Sequence, residues 1–463
     1  MIDTFLLLGR LVLGLASVML VGYLLTAWLA PDFTYLEQTA VGFGLGTLII
    51  TLWMLALSAL GLPFYLPLIL GPPSGLMAGL WFGKKVFGAR SLDSSAPSPE
   101  VFHPTPYGLW DLVFISLLVA LFLFATFRAV LYPMWSWDAI ATWGFKAKVF
   151  YLRGAVDLGE FEAHNYYPNL VPLLLTYLYL WLGQVNDHLV KLVFPLWGGV
   201  LLIMLFGILR RLGLDRTQAL GTTTFLAVNG ITFIAHLHIA YADLALTYFT
   251  LGAAGLIYLW LAGSAPPRTL PLAALFFAGM TWCKFEGAPL AGTILLAAGL
   301  TLIWLRPPHL ARRLGALTWP LLGMFLGYLP WRLFMASQGI ETGSDHILGF
   351  YPQQLFQALP SFLFALINPT LFGILWPAAG LALALFGKKL FNTPILFLAL
   401  FLVGNFLAIL LAYAAAPTSP FEFHMYLRAT LDRLLLHLTP IAALLVGEGV
   451  KDIMEGPETL GVG

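Results

Sequence analysis

Several short clusters of ionisable residues stand inside otherwise apolar sequence, and their types suit proton transfer beside an anionic group. Asp138 lies in Trp135-Ser136-Trp137-Asp138-Ala139, and Asp243 closes His236-Leu237-His238-Ile239-Ala240-Tyr241-Ala242-Asp243. Lys284 and Glu286 occur in Trp282-Cys283-Lys284-Phe285-Glu286-Gly287; Arg332 follows Trp331; Arg428, Asp432 and Arg433 precede the last apolar run. A carboxylate can take the proton of an attacking hydroxyl, and guanidinium and ammonium groups can hold phosphate oxygens, with Arg428 and Arg433 as a clamp. Each cluster also has a plain structural reading. Asp138 and Asp243 could cap helices, Lys284 and Glu286 could be a turn ion pair, and Arg428 and Arg433 could be interfacial anchors. His236 and His238 have the look of a metal pair, but two ligands on a turn are weak evidence.

The surrounding sequence is that of a polytopic membrane protein. Of 463 residues, 60% are hydrophobic and 10% charged, against about 25% charged in ordinary soluble domains. Leu109 to Val130 holds two charges and Ile395 to Ala416 none. About 20 apolar residues in a helix cross a ~30 Å hydrocarbon core, and these runs lack the alternation of barrel strands. The pattern predicts an all-α protein with about 13 transmembrane helices, near residues 5–30, 39–61, 64–83, 109–131, 188–209, 217–236, 242–262, 270–283, 287–305, 316–334, 360–386, 395–415 and 434–449. The first run lacks a basic leader and a small-x-small cleavage site, so it reads as a retained helix. Gly71-Pro72-Pro73 is expected to break the third. Residues 1–83 form a three-helix extension, 84–108 a Ser/Pro-rich cytoplasmic linker, and 109–463 a core with large loops at 132–187 and 335–359. A net charge of +1 points to neither nucleic acid nor an acidic partner, and the single Cys283 excludes an intramolecular disulfide or cysteine metal cluster. No Gly-rich phosphate loop, nucleophile elbow or zinc-protease helix is present.

Basic residues in the short loops set the orientation. Lys84, Lys85 and Arg90, then Arg210, Arg211 and Arg216, Arg268, Arg306, Arg312 and Arg313, Lys388 and Lys389, and Lys451 all fall on one side of this span order. That side is expected to be cytoplasmic, with the N-terminus and the candidate clusters outside. The first outer loop, which also holds Glu160, Glu162 and His164, contains two helical stretches, Ala139 to Leu152 and Leu170 to Leu182. The second stretch is too short to span and is expected to lie at the interface. The other outer loop holds Asp345 and His346.

The order of features resembles the GT-C superfamily of membrane glycosyltransferases, and is most similar to its protein O-mannosyltransferase and lipid A aminoarabinose transferase branch. The likeness is carried by Trp137-Asp138, Lys146-Ala147-Lys148 with Gly154, His164-Asn165-Tyr166-Tyr167-Pro168, a short apolar helix ending at Gly183, Leu209-Arg210-Arg211-Leu212-Gly213, Tyr241-Ala242-Asp243 and Lys284-Phe285-Glu286-Gly287. It covers Leu109 to the C-terminus. The resemblance implies a GT-C-like core with interfacial helices in the first outer loop. It implies a hexosyl- or pentosyltransferase that moves sugar from a polyprenyl-phosphate donor to a lipid, glycan or protein acceptor. The reaction would run on the outer face of a bacterial inner membrane, without nucleic acid. It assigns Asp138 as the base of an inverting displacement and Asp243 as a second catalytic carboxylate. Lys284, Arg332, Arg428 and Arg433 then bind donor phosphate, and Lys146, His164, Tyr167 and Glu286 contact substrate. A divalent cation, if used, would be shared by Asp138 and Asp243. Some relatives carry an Asp-Glu pair where this chain has Asp138-Ala139, which argues against a protein-hydroxyl acceptor.

Two rival readings stand beside it. A secondary transporter or lipid flippase would place ionisable groups near the bilayer midplane on broken helices in repeated halves; here the clusters flank outer helix ends and no repeat is evident. A non-catalytic scaffold on a GT-C-like fold is the other, since fold does not fix function.

Overall fold

The computed structural model describes residues 2–87, 106–159, 164–340, 349–416 and 420–455. Linker residues 88–105, with Arg90, and Glu160, Glu162, Asp345 and His346 lie outside the described residues. In chain order the main helices are α1 (Ile2–Leu29), α2 (Tyr35–Ala59), α3 (Leu66–Phe87), α4 (Leu109–Leu131), α5 (Phe145–Arg153), α6 (Leu170–Leu182), α7 (Val193–Arg211), α8 (Arg216–Val228) and α9 (Ile231–His236). They continue with α10 (Asp243–Leu261), α11 (Thr269–Cys283), α12 (Gly287–Leu305), α13 (Thr318–Ser337), α14 (Leu355–Ile367), α15 (Leu375–Phe386), α16 (Ile395–Ala415), α17 (Pro420–Leu436) and α18 (Thr439–Glu455). Among the described residues there is no strand.

Each of the predicted apolar runs is helical, but not each is one long helix. Among the described residues, eight helices are long and apolar enough to cross a membrane, and α17 with α18, bent by 44°, makes a ninth. The run at 217–236 is divided at Asn229-Gly230. Gly230 has φ +100°, and a Cβ there would meet the Leu371 carbonyl oxygen at 2.3 Å. The run at 360–386 is divided between Asn368 and Gly373. Pro72 and Pro73, expected to break the third helix, lie inside α3; membrane helices tolerate proline where the freed carbonyls find other partners.

Helix α6 has the predicted bounds, and within the protein it is buried on nearly all sides, packed against α1, α2 and α5. A helix apolar around its whole circumference seeks an apolar surround, and protein supplies one as well as lipid does. Helix α10 is the axis of the bundle and is buried throughout. The leading helices pack directly on later ones. Tyr248 donates to the Ala40 carbonyl (2.7 Å), Trp282 Nε1 donates to Thr51 Oγ1 (2.9 Å), and Arg211 pairs with Glu37 (2.6 Å).

Charged loops gather at the two ends. At one end Arg211 and Arg268 share Asp32, Arg216 pairs with Asp111, Lys451 donates to the Leu212 carbonyl, and Lys389 pairs with Asp452. These are loops that the basic-residue pattern put on one side. The other end holds Asp138, Asp243, Lys284 and Arg433.

The α1–α2 seam relies on glycine, as close membrane-helix crossings do. A Cβ on Gly22 would meet the Gly42 carbonyl oxygen at 1.7 Å, and one on Gly46 would meet that of Val18 at 1.8 Å. Gly46→Leu should therefore destabilise the protein by more than the ~1–3 kcal/mol of ordinary overpacking. Gly9→Leu, with nothing within 4 Å of its Cβ, should be neutral. Thermal unfolding of the two variants in detergent checks this.

Candidate active site

Asp243, the first residue of α10, is wholly buried. A buried carboxylate must be paired and hydrogen-bonded, and three basic side chains meet it. Lys284 Nζ donates to Oδ1 (2.9 Å), Arg433 donates to Oδ2 from Nη2 (2.9 Å) and Nε (3.2 Å), and His437 Nε2 lies 3.2 Å from Oδ1. The same Nη2 is 2.7 Å from Asp138 Oδ2, and Lys284 Nζ is 3.0 Å from Glu286 Oε1. Asp138, Arg433, Asp243, Lys284 and Glu286 thus form one continuous chain of charge: three carboxylates on two fixed cations.

The two holds of Arg433 are unequal. Its contact with Asp243 is double and buried; its contact with Asp138 is single, and the Asp138 side chain is 26% exposed. Breaking a buried pair costs about 3–5 kcal/mol, and a single contact with a partly exposed partner costs less to break. Asp243 therefore fixes the guanidinium, and Asp138 is the partner that a ligand can replace.

Local structure delivers each member. Lys191 Nζ donates to the carbonyls of Tyr132 (2.9 Å) and Pro133 (3.1 Å) and so holds the exit from α4. Ser136 Oγ and Tyr241 OH are hydrogen-bonded at 2.6 Å, and the Tyr241 ring lies 4.5 Å from the Arg433 guanidinium carbon. Asp138 caps no backbone N–H; the turn after it, Ala139–Gly144, is π-helical, a form that recurs at functional sites. Asp243 follows buried Ala240 at φ +63°. A left-handed non-glycine residue costs about 1–3 kcal/mol and persists only where its surroundings over-determine it. The Lys284–Glu286 turn needs Gly287, whose Cβ would meet the Met280 carbonyl oxygen at 1.8 Å. Burial lowers the proton affinity of Lys284, but Asp243 and Glu286 raise it further, and the ammonium stays charged.

Around this chain lie groups of mixed function. Tyr167 packs against Trp143, His164, Tyr166 and Phe285. Burial and the charge of Glu286 hold its hydroxyl well above the usual phenol range. Glu286 Oε2, His437 Nδ1 and His236 Nε2 are buried without a hydrogen-bond partner. Unpaired buried polar atoms are uncommon, and beside a charged cluster they are what a polar ligand would satisfy. Lys146 is buried away from the chain of charge and donates to the His164 carbonyl at 2.6 Å, steadying a loop in which His164 itself has φ +55°. Arg332 lines a small cleft with Tyr166, Phe285 and Tyr328, next to the Lys284 turn.

The clamp expected from Arg428 and Arg433 is not assembled. Arg428 is exposed on α17 and makes no contact with the network, because helical residues five apart face different ways, unlike those three or four apart. His236 and His238 also diverge: His236 Nδ1 meets the Thr232 carbonyl (2.7 Å), and His238 packs on Phe124. Burial brings His238 down to about 4. Among the described residues no three His, Cys, Asp or Glu side chains are grouped to hold a metal ion. Arg433 occupies the position between Asp138 and Asp243 that a shared divalent cation would take. The donor set does not fit a metal. His437, absent from the expected residues, did carry a signal as the one ionisable group in Leu434-Leu435-Leu436-His437-Leu438. Tyr241 stood in the Tyr241-Ala242-Asp243 motif with no role assigned to it, and Ser136 carried no signal of its own.

The fold is GT-C-like, a polytopic helical bundle with irregular segments and short helices at the end that bears the charged cluster. It is similar to the crystal structure of ArnT from Cupriavidus metallidurans bound to undecaprenyl phosphate, with a TM-score of 0.50 and 14% sequence identity. The match covers 74% of this chain and 60% of that one, so the chain spans less than two thirds of the structure it resembles. No family profile and no curated protein matches the sequence.

Lys146 generates a pH prediction. Burial lowers it from 10.5 to about 7, so between those values the unfolded chain holds a proton that the folded protein does not, and stability rises with pH. Relative to Lys146→Met, the wild-type melting temperature should climb from pH 7 to pH 10. A difference that stays flat would contradict a buried, neutralised amine.

Proposed function

We propose that the chain is a glycosyltransferase that moves a sugar from a polyprenyl-phosphate-linked donor to an acceptor hydroxyl. The observation that supports it most is one guanidinium shared by Asp138 and Asp243, with Lys284 beside it, in a fold like that of the ArnT structure bound to undecaprenyl phosphate. In this reading Asp138 takes the proton of the acceptor hydroxyl as its oxygen bonds to C1 of the sugar. The bond from C1 to the phosphate oxygen breaks, its electron pair leaves with polyprenyl phosphate, and the anomeric centre inverts. Lys284 and Arg433 stabilise the charge on the departing phosphate, with Arg332 in the adjoining cleft as a third cation. Asp243 is a positioning residue that keeps both cations charged and in place.

Glu286 and Tyr167 face the sugar, and the unpaired Glu286 Oε2 accepts a hydrogen bond from a sugar hydroxyl. His164 closes the aromatic wall, and Lys146 acts through the His164 carbonyl. Arg428 has no part in this scheme. The donor reaches the site through lipid, so no nucleotide is needed. With the basic loops cytoplasmic, the site opens on the outer face of a bacterial inner membrane. The transferred unit is a hexose or pentose, and the acceptor a lipid or glycan before a protein.

Transfer in proteoliposomes supplied with a labelled polyprenyl-phosphate sugar tests the scheme. Asp138→Asn should lose about 10²–10⁴-fold in rate while keeping expression and melting temperature, because Asp243 still fixes Arg433. Lys284→Met should lose about 10²–10³-fold. Near-normal transfer by Asp138→Asn would remove Asp138 from the chemistry.

A further inference from the structure

An apolar cavity of about 530 Å³ lies between α4, α7 and α8, with Met19 of α1 and Leu36 of α2 on its wall. Helix α4 lines it from Ile115 to Ala125, about 15 Å of helical rise. Lys284, Arg433, Asp138 and Asp243 form no part of it. At its basic-loop end Arg216 is taken by Asp111 and the Pro106 carbonyl.

The end nearer the active site is different. There the wall ends at Ala125, Pro195 and Leu237, and just beyond it three elements each supply a basic group. Arg128 follows Ala125 on α4, Lys191 stands one turn before Pro195, and His238 follows Leu237. The charges of Arg128 and Lys191 both bear on His238, and that of Arg128 on Lys191. The carboxylate that acts on Lys191, Asp187, is engaged by Lys148 and the Tyr179 hydroxyl, each at 2.7 Å. Lys191 is spent on two backbone carbonyls, and Arg128 lies over the Tyr132 ring and makes no ion pair among the described residues. Arg128 thus stands at the mouth of an apolar slot without an ion pair among the described residues, and beside it is His238, which burial leaves uncharged and able to hydrogen-bond. A ligand with an anionic head and a hydrocarbon tail satisfies both surfaces at once, and guanidinium is well suited to phosphate oxygens.

We propose that this is a second lipid site, which holds a phospholipid by its phosphate at Arg128 and His238 with one acyl chain in the cavity. It is separate from the donor site and does not depend on it.

Native mass spectrometry of the full chain tests the assignment, with phosphatidylglycerol, diacylglycerol of the same chains, and undecaprenyl phosphate as probes. One phosphatidylglycerol should be retained, and diacylglycerol should bind roughly tenfold or more weakly, as should phosphatidylglycerol to Arg128→Gln, for loss of a charged hydrogen bond. Leu118→Trp, which fills the slot, should weaken retention while leaving Arg128 intact. Undecaprenyl phosphate should add to the lipid-bound protein without releasing phosphatidylglycerol. Equal binding of diacylglycerol, or no effect of either substitution, would overturn the site. One-for-one displacement by undecaprenyl phosphate would overturn it too, making the slot a groove for the donor's tail. Retained phosphatidylglycerol together with no binding of undecaprenyl phosphate would support this site and count against the donor reading.

Discussion

A carboxylate placed without water at the start of a buried helix is the constraint from which the rest of this end of the molecule follows. Asp243 cannot be solvated, so cations must come to it, and in sequence they are distant: Lys284 is 41 residues away and Arg433 is 190. Satisfying one side chain therefore ties together α10, the turn between α11 and α12, and the bend between α17 and α18. A buried ion pair is weak evidence for stability as such. Its value here is geometric, since it fixes two positive charges at a defined place beside a partly exposed carboxylate.

That arrangement sets a saturated carboxylate beside an available one. Asp243 is saturated by its partners and inaccessible, whereas Asp138 has one contact and faces solvent. Backbone irregularities collect around the same few residues: the π-helical turn after Asp138, left-handed Ala240 before Asp243, and Gly287 pressed against the Met280 carbonyl. None would be favoured in an isolated helix. Each is tolerated because the packed helices around it leave no alternative path for the chain, and each aims one charged side chain at the common point. The glycine seam of α1 and α2, and the hydrogen bonds from Tyr248 and Trp282 onto α2, brace the bundle on which these irregular segments rest.

The polar end of the bundle has a second region of a different kind. The active-site charges are balanced within the protein, cation against carboxylate. Arg128, which makes no ion pair among the described residues, stands with Lys191 and the uncharged His238 just beyond the end of an apolar slot. The first suits a polar group held between opposite charges, and the second is the one proposed to take a phospholipid. Both depend on the segment from His236 to Asp243, which gives His236 and Asp243 to the first region and Leu237 and His238 to the second.

Composition and run length determine by themselves that this chain is a helical membrane protein, because crossing a hydrocarbon core is a matter of one-dimensional apolar length. They also flag Asp138, Asp243, Lys284 and Arg433, along with Glu286, Arg332 and Arg428, since an ionisable group within apolar sequence is costly wherever the chain folds. The tertiary structure alone decides which apolar helices are interior, as α6 and α10 are, and which face lipid, because both surroundings exclude water and select the same residues. It alone decides that Arg433 rather than Arg428 reaches the carboxylates, that Asn229-Gly230 interrupts a run long enough to span, and that His437 and Tyr241 border the site. Those outcomes rest on contacts between segments distant in sequence, as between Asp138 and Arg433 or between Tyr248 and Ala40, and no local pattern of residues fixes them.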